Sequence, residues 1–286
     1  MSLNVLVLCE RSGAIREAFA SRGHFAMSVD TLPTTTPTGP HASGGSSSHV
    51  VGDALDFLPD EKNGTGWDLV IARPPCTYLT NSGVRWLFEG TKVVDGEIVS
   101  GELTDRARAR WDRLAEAVKF FNAMKRIDSA FIAIENPIPH KYAREGINTD
   151  PEYVGIGAPD QIVQPWMFGH PESKGTGWWL KGLPLLQPTK DVKAEMKALP
   201  AAERNRVHYA SPGPDRWMKR SLLVQGMADA IADQWGSFVE SQIDRESSAS
   251  RQGFIESGRY NTYAETAEFS IQPDVVEWAE ARIVTP

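Results

Sequence analysis

The chain has 286 residues, 41% of them hydrophobic and 23% charged, with a formal net charge of −7 and two cysteines. That length can bury a substantial core in one large domain or in a domain with a smaller lobe. Two thiols make no disulfide framework, no Cys/His grouping has zinc-ligand spacing, no run of about 18 apolar residues suggests a membrane span, and no signal-peptide pattern opens the chain, so reduced thiols, no metal and a cytoplasmic location are expected.

"NVLVLC" (4–9) is a short apolar run followed by "ERSGAIREAFASRG", where Ile15, Ala18 and Phe19 fall at helical spacing and Gly23 supplies a stop. "FAMSVD" (25–30), "HVVGD" (49–53), "DLVIA" (68–72) and "AFIAIEN" (130–136) are likewise short, apolar and ended by polar or turn residues. Strands alternating with helices imply an α/β domain with a largely parallel sheet. Residues 31–48, rich in Pro, Gly, Ser and Thr, are expected to be a mobile surface insertion that does not pack. Residues 84–102 are polar and predict a loop or small hairpin, a candidate lid.

The clearest helix runs from Leu103 through Ala107, Trp111, Leu114, Val118 and Phe121 to Met124, one apolar stripe that predicts packing on the sheet. From about residue 137 the pattern becomes proline- and glycine-punctuated. The division expected is an α/β domain over 1–139, a small irregular lobe over 140–215, a helix returning over 216–240, and an appendage over 241–286. Basic residues gather at Arg106, Arg108, Arg110 and Arg113, and again at Arg216, Lys219 and Arg220. Each cluster can be an ordinary solvated face, although a net-negative chain can still carry a local basic cleft.

"ARPPCTYLTNSG" (72–83) sets Cys76 behind two prolines. Ligands collect beyond the carboxyl ends of parallel strands. Cys76, Glu135 with Asn136 and Pro137, and the turn from Glu10 to Gly13 all fall at such ends. A cysteine there is either a nucleophile, through its thiolate, or a small buried apolar residue.

Taken together, Pro74-Pro75-Cys76 followed by Thr80, Ser82 and Gly83, and then Glu135-Asn136-Pro137, resemble the DNA (cytosine-5) methyltransferases. That family has a Pro-Cys nucleophile motif with hydroxyl residues four and six positions later and a glycine at seven. Its Glu-Asn-Val appears here as Glu-Asn-Pro, its Gly-Asp motif corresponds to Gly52-Asp53, and its acidic residue ending the second strand corresponds to Asp30. The match covers roughly residues 4–140, with a weaker echo at 165–236.

The resemblance implies a Rossmann-like fold binding S-adenosylmethionine, with a small irregular second lobe. It further implies a monomeric enzyme acting on double-stranded DNA, without a metal, by flipping a cytosine out of the stack. Cys76, Glu135, Asn136 and Pro75 would form the catalytic group. Cys9, Glu10, Ser12, Gly13, Asp30, Asp53 and Pro74 would surround the cofactor. Thr80, Ser82, Lys174, Arg216, Lys219 and Arg220 would contact nucleic acid.

The compact form looks like the orphan enzymes of bacterial viruses, which would place the protein in a bacterial host cell. The chain departs from the family in the turn after the first strand, where only Gly13 remains of several glycines. The family's paired-arginine strand is also not evident; "HPESKGTGWWLKG" (170–182) stands there, with Lys174 a candidate for part of its work and Trp178 and Trp179 read as core. A different pyrimidine acceptor, a different one-carbon donor, or a catalytically silent nucleic-acid-binding protein stay open as alternatives.

Overall fold

The structure, a computed structural model, describes residues 1–59, 66–95, 97–146, 154–209, 211, 213 and 216–256. Ten strands occur among them: β1 (Asn4–Leu8), β2 (Phe25–Asp30), β3 (Gly39–Pro40), β4 (Ser46–Val51), β5 (Leu69–Ala72), β6 (Thr91–Val94), β7 (Glu97–Gly101), β8 (Ile132–Pro137), β9 (Gln161–Val163) and β10 (Thr176–Lys181). Eight helices accompany them: α1 (Ala14–Ala20), α2 (Asp105–Lys125), α3 (Lys141–Glu145), α4 (Lys193–Ala198), α5 (Ala201–Arg204), α6 (Arg206–Tyr209), α7 (Arg216–Ser221) and α8 (Gln225–Glu256).

Eight strands form one sheet in the order β3-β4-β2-β1-β5-β8-β10-β9. The five strands β4, β2, β1, β5 and β8 pair parallel. Counted among themselves in chain order they run 3-2-1-4-5, the doubly wound arrangement whose switch point, here between β1 and β5, leaves a crevice at the strands' carboxyl ends.

Strand alternation builds three layers. Leu6, Leu8, Met27, Val29, Val70, Ala72, Ile132 and Ile134 face one way and pack with Leu114, Val118 and Phe121 of α2. Val5, Val7, Ala26, Leu69, Ile71 and Ala133 face the other way and pack with Ile15 and Phe19 of α1 and with Met227, Ile231 and Trp235 of α8. Because both faces are covered, the central strands read in sequence as continuous apolar runs.

Three expectations need correction. The segment 31–48 is tied to the sheet although most of its side chains stay exposed: β4 lies parallel to β2, β3 is its antiparallel edge, and the loop before them is held by Arg16. That side chain is fully buried on α1 and donates from Nη1 to Ser28 Oγ (2.8 Å) and Thr34 Oγ1 (3.3 Å), and from Nη2 to the Thr36 carbonyl (3.1 Å). A single buried guanidinium thus supplies donors that offset the low apolar content of the segment.

Second, the change of pattern after residue 137 does not take the chain off the sheet, since β10 pairs antiparallel with β8 and β9 with β10. Neighbouring Trp178 and Trp179 point to opposite faces, one ring edge-on to Trp235 and the other to Phe121. Both are core, as their burial shows. Third, the single helix expected over 216–240 is two, α7 and α8, and α8 continues through Glu256, into the stretch expected to be an appendage; residues 257–286 lie outside the described residues.

Candidate active site at the carboxyl ends of the strands

The carboxyl ends of β1, β2, β5 and β8 deliver side chains to one cavity of about 210 Å³. Cys9, Arg11 and Ser12 follow β1, Asp30 ends β2, Arg73 to Thr77 follow β5, and Glu135 to Pro137 end β8. Lys174, just before β10, and Met218 and Arg220 of α7 complete the wall. Cys76 and Glu135, 59 positions apart in sequence by their numbers, therefore share one cavity.

The link between them is Arg73, which the sequence reading passed over. Its guanidinium is nearly buried, donates from Nε to Glu135 Oε2 at 3.0 Å, and donates from Nη2 to the Ser221 carbonyl at 2.5 Å. Buried Glu10 and Glu135 both hold its charge, so its pKa lies above the ordinary arginine value although burial opposes this. Since one carboxylate oxygen of Glu135 is taken by Arg73, Oε1 is left for the cavity. Asn136 donates from Nδ2 to the Pro74 carbonyl at 2.8 Å, which ties the end of β8 to the proline bracket before Cys76.

Burial, then the nearby Glu135 carboxylate, push the Cys76 thiol up, while Lys174 and Arg220 oppose them. Burial in turn pulls the Lys174 ammonium down, and Glu135 and Cys76 pull it back. Lys174 Nζ donates to the Leu222 carbonyl at 3.0 Å. Cys9 is different: burial and the carboxylates of Asp30 and Asp53 push its thiol up to about 12, so it stays protonated at neutral pH. Its backbone sits at φ 58°, a left-handed conformation uncommon outside glycine.

The other residues singled out by sequence separate into two groups. Pro74, Pro75, Ser12, Asp30, Lys174 and Arg220 line the cavity. Glu10, Gly13, Asp53, Thr80 and Ser82 do not. Glu10 is fully buried and its carboxylate accepts from the Ile15 and Arg16 amides at 2.8 and 3.1 Å, so it caps α1. Burial raises its pKa against these bonds. Gly13 opens α1 at φ 71°, where a Cβ would stand 2.6 Å from Arg16 Nη2.

Asp53 accepts from the Leu55 amide at 3.0 Å and caps the short 3-10 helix Ala54–Phe57. Thr80 bridges to Pro139, and Ser82 is exposed. Arg216 lies on α7 beside the cavity wall, while the side chain of Lys219 lies outside the described ones. The segment 84–102 begins with a 3-10 helix, Val84–Phe88, and ends in the β6–β7 hairpin. Leu87 is buried there, and Trp111 Nε1 donates to its carbonyl at 2.8 Å.

Among the described residues no three His, Cys, Asp or Glu side chains converge as metal ligands, and no helix is long and apolar enough to cross a membrane. No protein-family model and no curated protein matches the chain. Among solved structures it is similar to one described as a DNA modification methyltransferase encoded within an E. coli prophage. That likeness has 20% identity and a TM-score of 0.36, over 70% of this chain and 56% of that one. WbdD, co-crystallised with a kinase inhibitor, is similar at 15% identity and a TM-score of 0.25, over 65% of this chain and 37% of its own. The chain thus spans about half the length of the first and about a third of the second, and at these scores neither likeness decides a function.

Proposed function

We propose that the chain is an S-adenosylmethionine-dependent DNA methyltransferase that modifies carbon 5 of a flipped cytosine through a covalent adduct on Cys76. The observation that carries this reading is the shared cavity of Cys76 and Glu135, whose lining also includes Asp30 and Ser12.

Carbon 5 of cytosine is a weak nucleophile. The Cys76 thiolate adds to carbon 6, forming the S–C bond, and the electron pair of the 5,6 double bond moves onto carbon 5 and towards ring nitrogen 3. Glu135, held from one side by Arg73, takes up a proton from solvent and passes it to nitrogen 3, which offsets that developing charge. After carbon 5 has gained its methyl group, its remaining hydrogen leaves as a proton, the double bond re-forms, Cys76 departs as thiolate and nitrogen 3 returns its proton. Pro74 and Pro75 narrow the approach of the sulfur, an orientation effect worth several kcal/mol in reactions of this kind. Lys174 and Arg220 favour the thiolate that attack requires.

The residues present fit the methyl donor. Asp30 ends β2 inside the cavity, its Oδ1 accepts from the Leu32 amide at 3.0 Å, and among the described residues no hydrogen bond engages Oδ2. That oxygen suits a ribose hydroxyl, and Arg11 and Ser12 suit the amino-acid end. When bound, S-adenosylmethionine supplies an electrophilic methyl group to carbon 5. Residues 140–215, which would read the target, are few enough that a recognition sequence of about two to four base pairs is expected.

The test is incubation of cytosine-containing duplex DNA with methyl-labelled S-adenosylmethionine. Wild type is expected to label the DNA, and a 5-fluorocytosine duplex to trap the protein covalently through Cys76, because fluorine cannot leave as a proton does. Equal labelling by Cys76→Ala defeats the reading. Bisulfite sequencing of DNA from expressing cells then reads acceptor and site together.

A further inference from the structure

Outside the cavity, the loop that follows Cys76 meets the first turns of α2 in a cluster of arginines and aromatic rings. The Arg85 guanidinium lies 4.6 Å from the centre of the Trp86 ring, and Arg106 lies 5.0 Å from it. Arg110 stands 5.1 Å from the centre of the Tyr78 ring, and Arg113 Nη1 donates to the Tyr78 hydroxyl at 3.4 Å. Arg106, Arg110 and Arg113 are four and three residues apart, so they share one face of α2. Gly83 joins the two halves: at φ 102° it is left-handed, and a Cβ there would lie 2.7 Å from Arg110 Nη2 and 3.3 Å from Trp86 Cδ1.

This cluster is poorly neutralised. Glu89 reaches Arg106 only at 3.9 Å, and among the described residues no carboxylate comes within 4.0 Å of Arg85, Arg110 or Arg113. Arg106 keeps 72% of its side chain exposed. In a chain of net charge −7, carboxylates are plentiful, yet among the described residues Glu89 is the one carboxylate within 4.0 Å of these four arginines. With guanidiniums already near its ring, Trp86 is better placed to hold those cations than to stack on a base. Stacked guanidiniums lose less freedom on binding and keep their N–H forks available for paired anionic oxygens. Tyr78 is only two residues past Cys76, at most about 7 Å of extended chain, so the array borders the reaction centre.

We propose that Arg85, Arg106, Arg110 and Arg113, braced by Trp86 and Tyr78, form a clamp on the phosphate backbone of duplex DNA beside the flipped nucleotide. This rests on the proposed function and assigns the face of the protein that carries the duplex. Base identity is read elsewhere, so the clamp contributes equally to all sequences.

The experiment measures fluorescence anisotropy of a labelled duplex against salt concentration for wild type, Arg106→Ala/Arg110→Ala, and the control Arg22→Ala. Arg22 pairs with Asp229 at 3.7 Å in the α1–α8 layer, on the other side of the sheet. The double variant is expected to bind about tenfold more weakly on specific and random duplexes alike, and to lower the slope of log K against log salt by about 2, one per lost phosphate contact. Arg22→Ala is expected to match wild type, and circular dichroism to show all three folded alike. A double variant with the wild-type slope overturns the clamp and, if wild type still labels DNA, leaves the cytosine chemistry standing. A wild type that binds no duplex at any salt overturns the clamp and the proposed function together.

Discussion

The two ends of the cavity use charged residues in opposite ways. At the end walled by β5 and β8, Arg73 pairs with Glu135 through Oε2, and Glu135 lines the cavity. At the end walled by β1 and β2, Glu10 and Arg16 are buried but turn inwards: one caps α1, and the other binds the loop that follows β2. The first arrangement positions groups for a ligand, and the second replaces the glycines that would let a ligand approach the backbone. On the proposed function, the acceptor end is built from side chains that present themselves, and the donor end would depend on Asp30, Ser12 and Arg11.

That contrast is sharpened most by Cys76→Ser, which is expected to reduce labelling of DNA to background and to give no adduct with 5-fluorocytosine, read on a denaturing gel. Next in size, Arg73→Ala should lower kcat about 100-fold by releasing Glu135, with a smaller change in duplex affinity. Arg73→Lys, which keeps the charge but loses the planar fork, should recover only part of it. A variant with unchanged kcat would erase the distinction between the two ends.

At the donor end of the proposed site, Glu10→Gln should cost about 1–3 kcal/mol of stability, seen as a lower Tm, because the two helix N–H groups bond to different carboxylate oxygens and an amide replaces one of these acceptors by an NH2 donor. Asp30→Ala should weaken S-adenosylmethionine binding about tenfold in calorimetry, while Asp53→Ala, whose carboxylate caps a 3-10 helix, should change it by less than about twofold. The smallest effect is on pH. Because burial and Glu135 raise the Cys76 pKa, adduct formation should climb as pH rises above neutrality. Lys174 favours the thiolate, so Lys174→Met should move that climb to higher pH, measured as trapping rate against pH.

The strands that position Cys76 and Glu135 were legible because both faces of the sheet are covered, which leaves unbroken apolar runs such as "DLVIA". β9 and β10 were hidden by the opposite circumstance: three and six residues between prolines and glycines carry no periodicity, and adjacent tryptophans going to opposite faces resemble any apolar pair. That Cys76 and Glu135 would meet at one crevice could be read from residue types at strand ends. Arg73 could not, since a cation after a strand looks like an ordinary strand end and its partner stands 62 residues away. The buried roles of Glu10 and Arg16 were masked in the same way, because charged residues near a helix start normally face water. Nor did the Pro- and Thr-rich stretch reveal its packing, as the donor that organises it belongs to α1.

The adjacency of β5 and β8 has a consequence for how this scaffold can vary. Paired parallel strands stand about 4.8 Å apart, and the sulfur and the carboxyl group leave from their two ends, so the main-chain ladder acts as the ruler between them. Lengthening a surface connection away from the Ser221 and Leu222 carbonyls that receive Arg73 and Lys174 leaves that ruler untouched. On the proposed function, such connections could change target preference without re-tuning the geometry of Cys76 and Glu135, provided the two neighbouring strands keep their register.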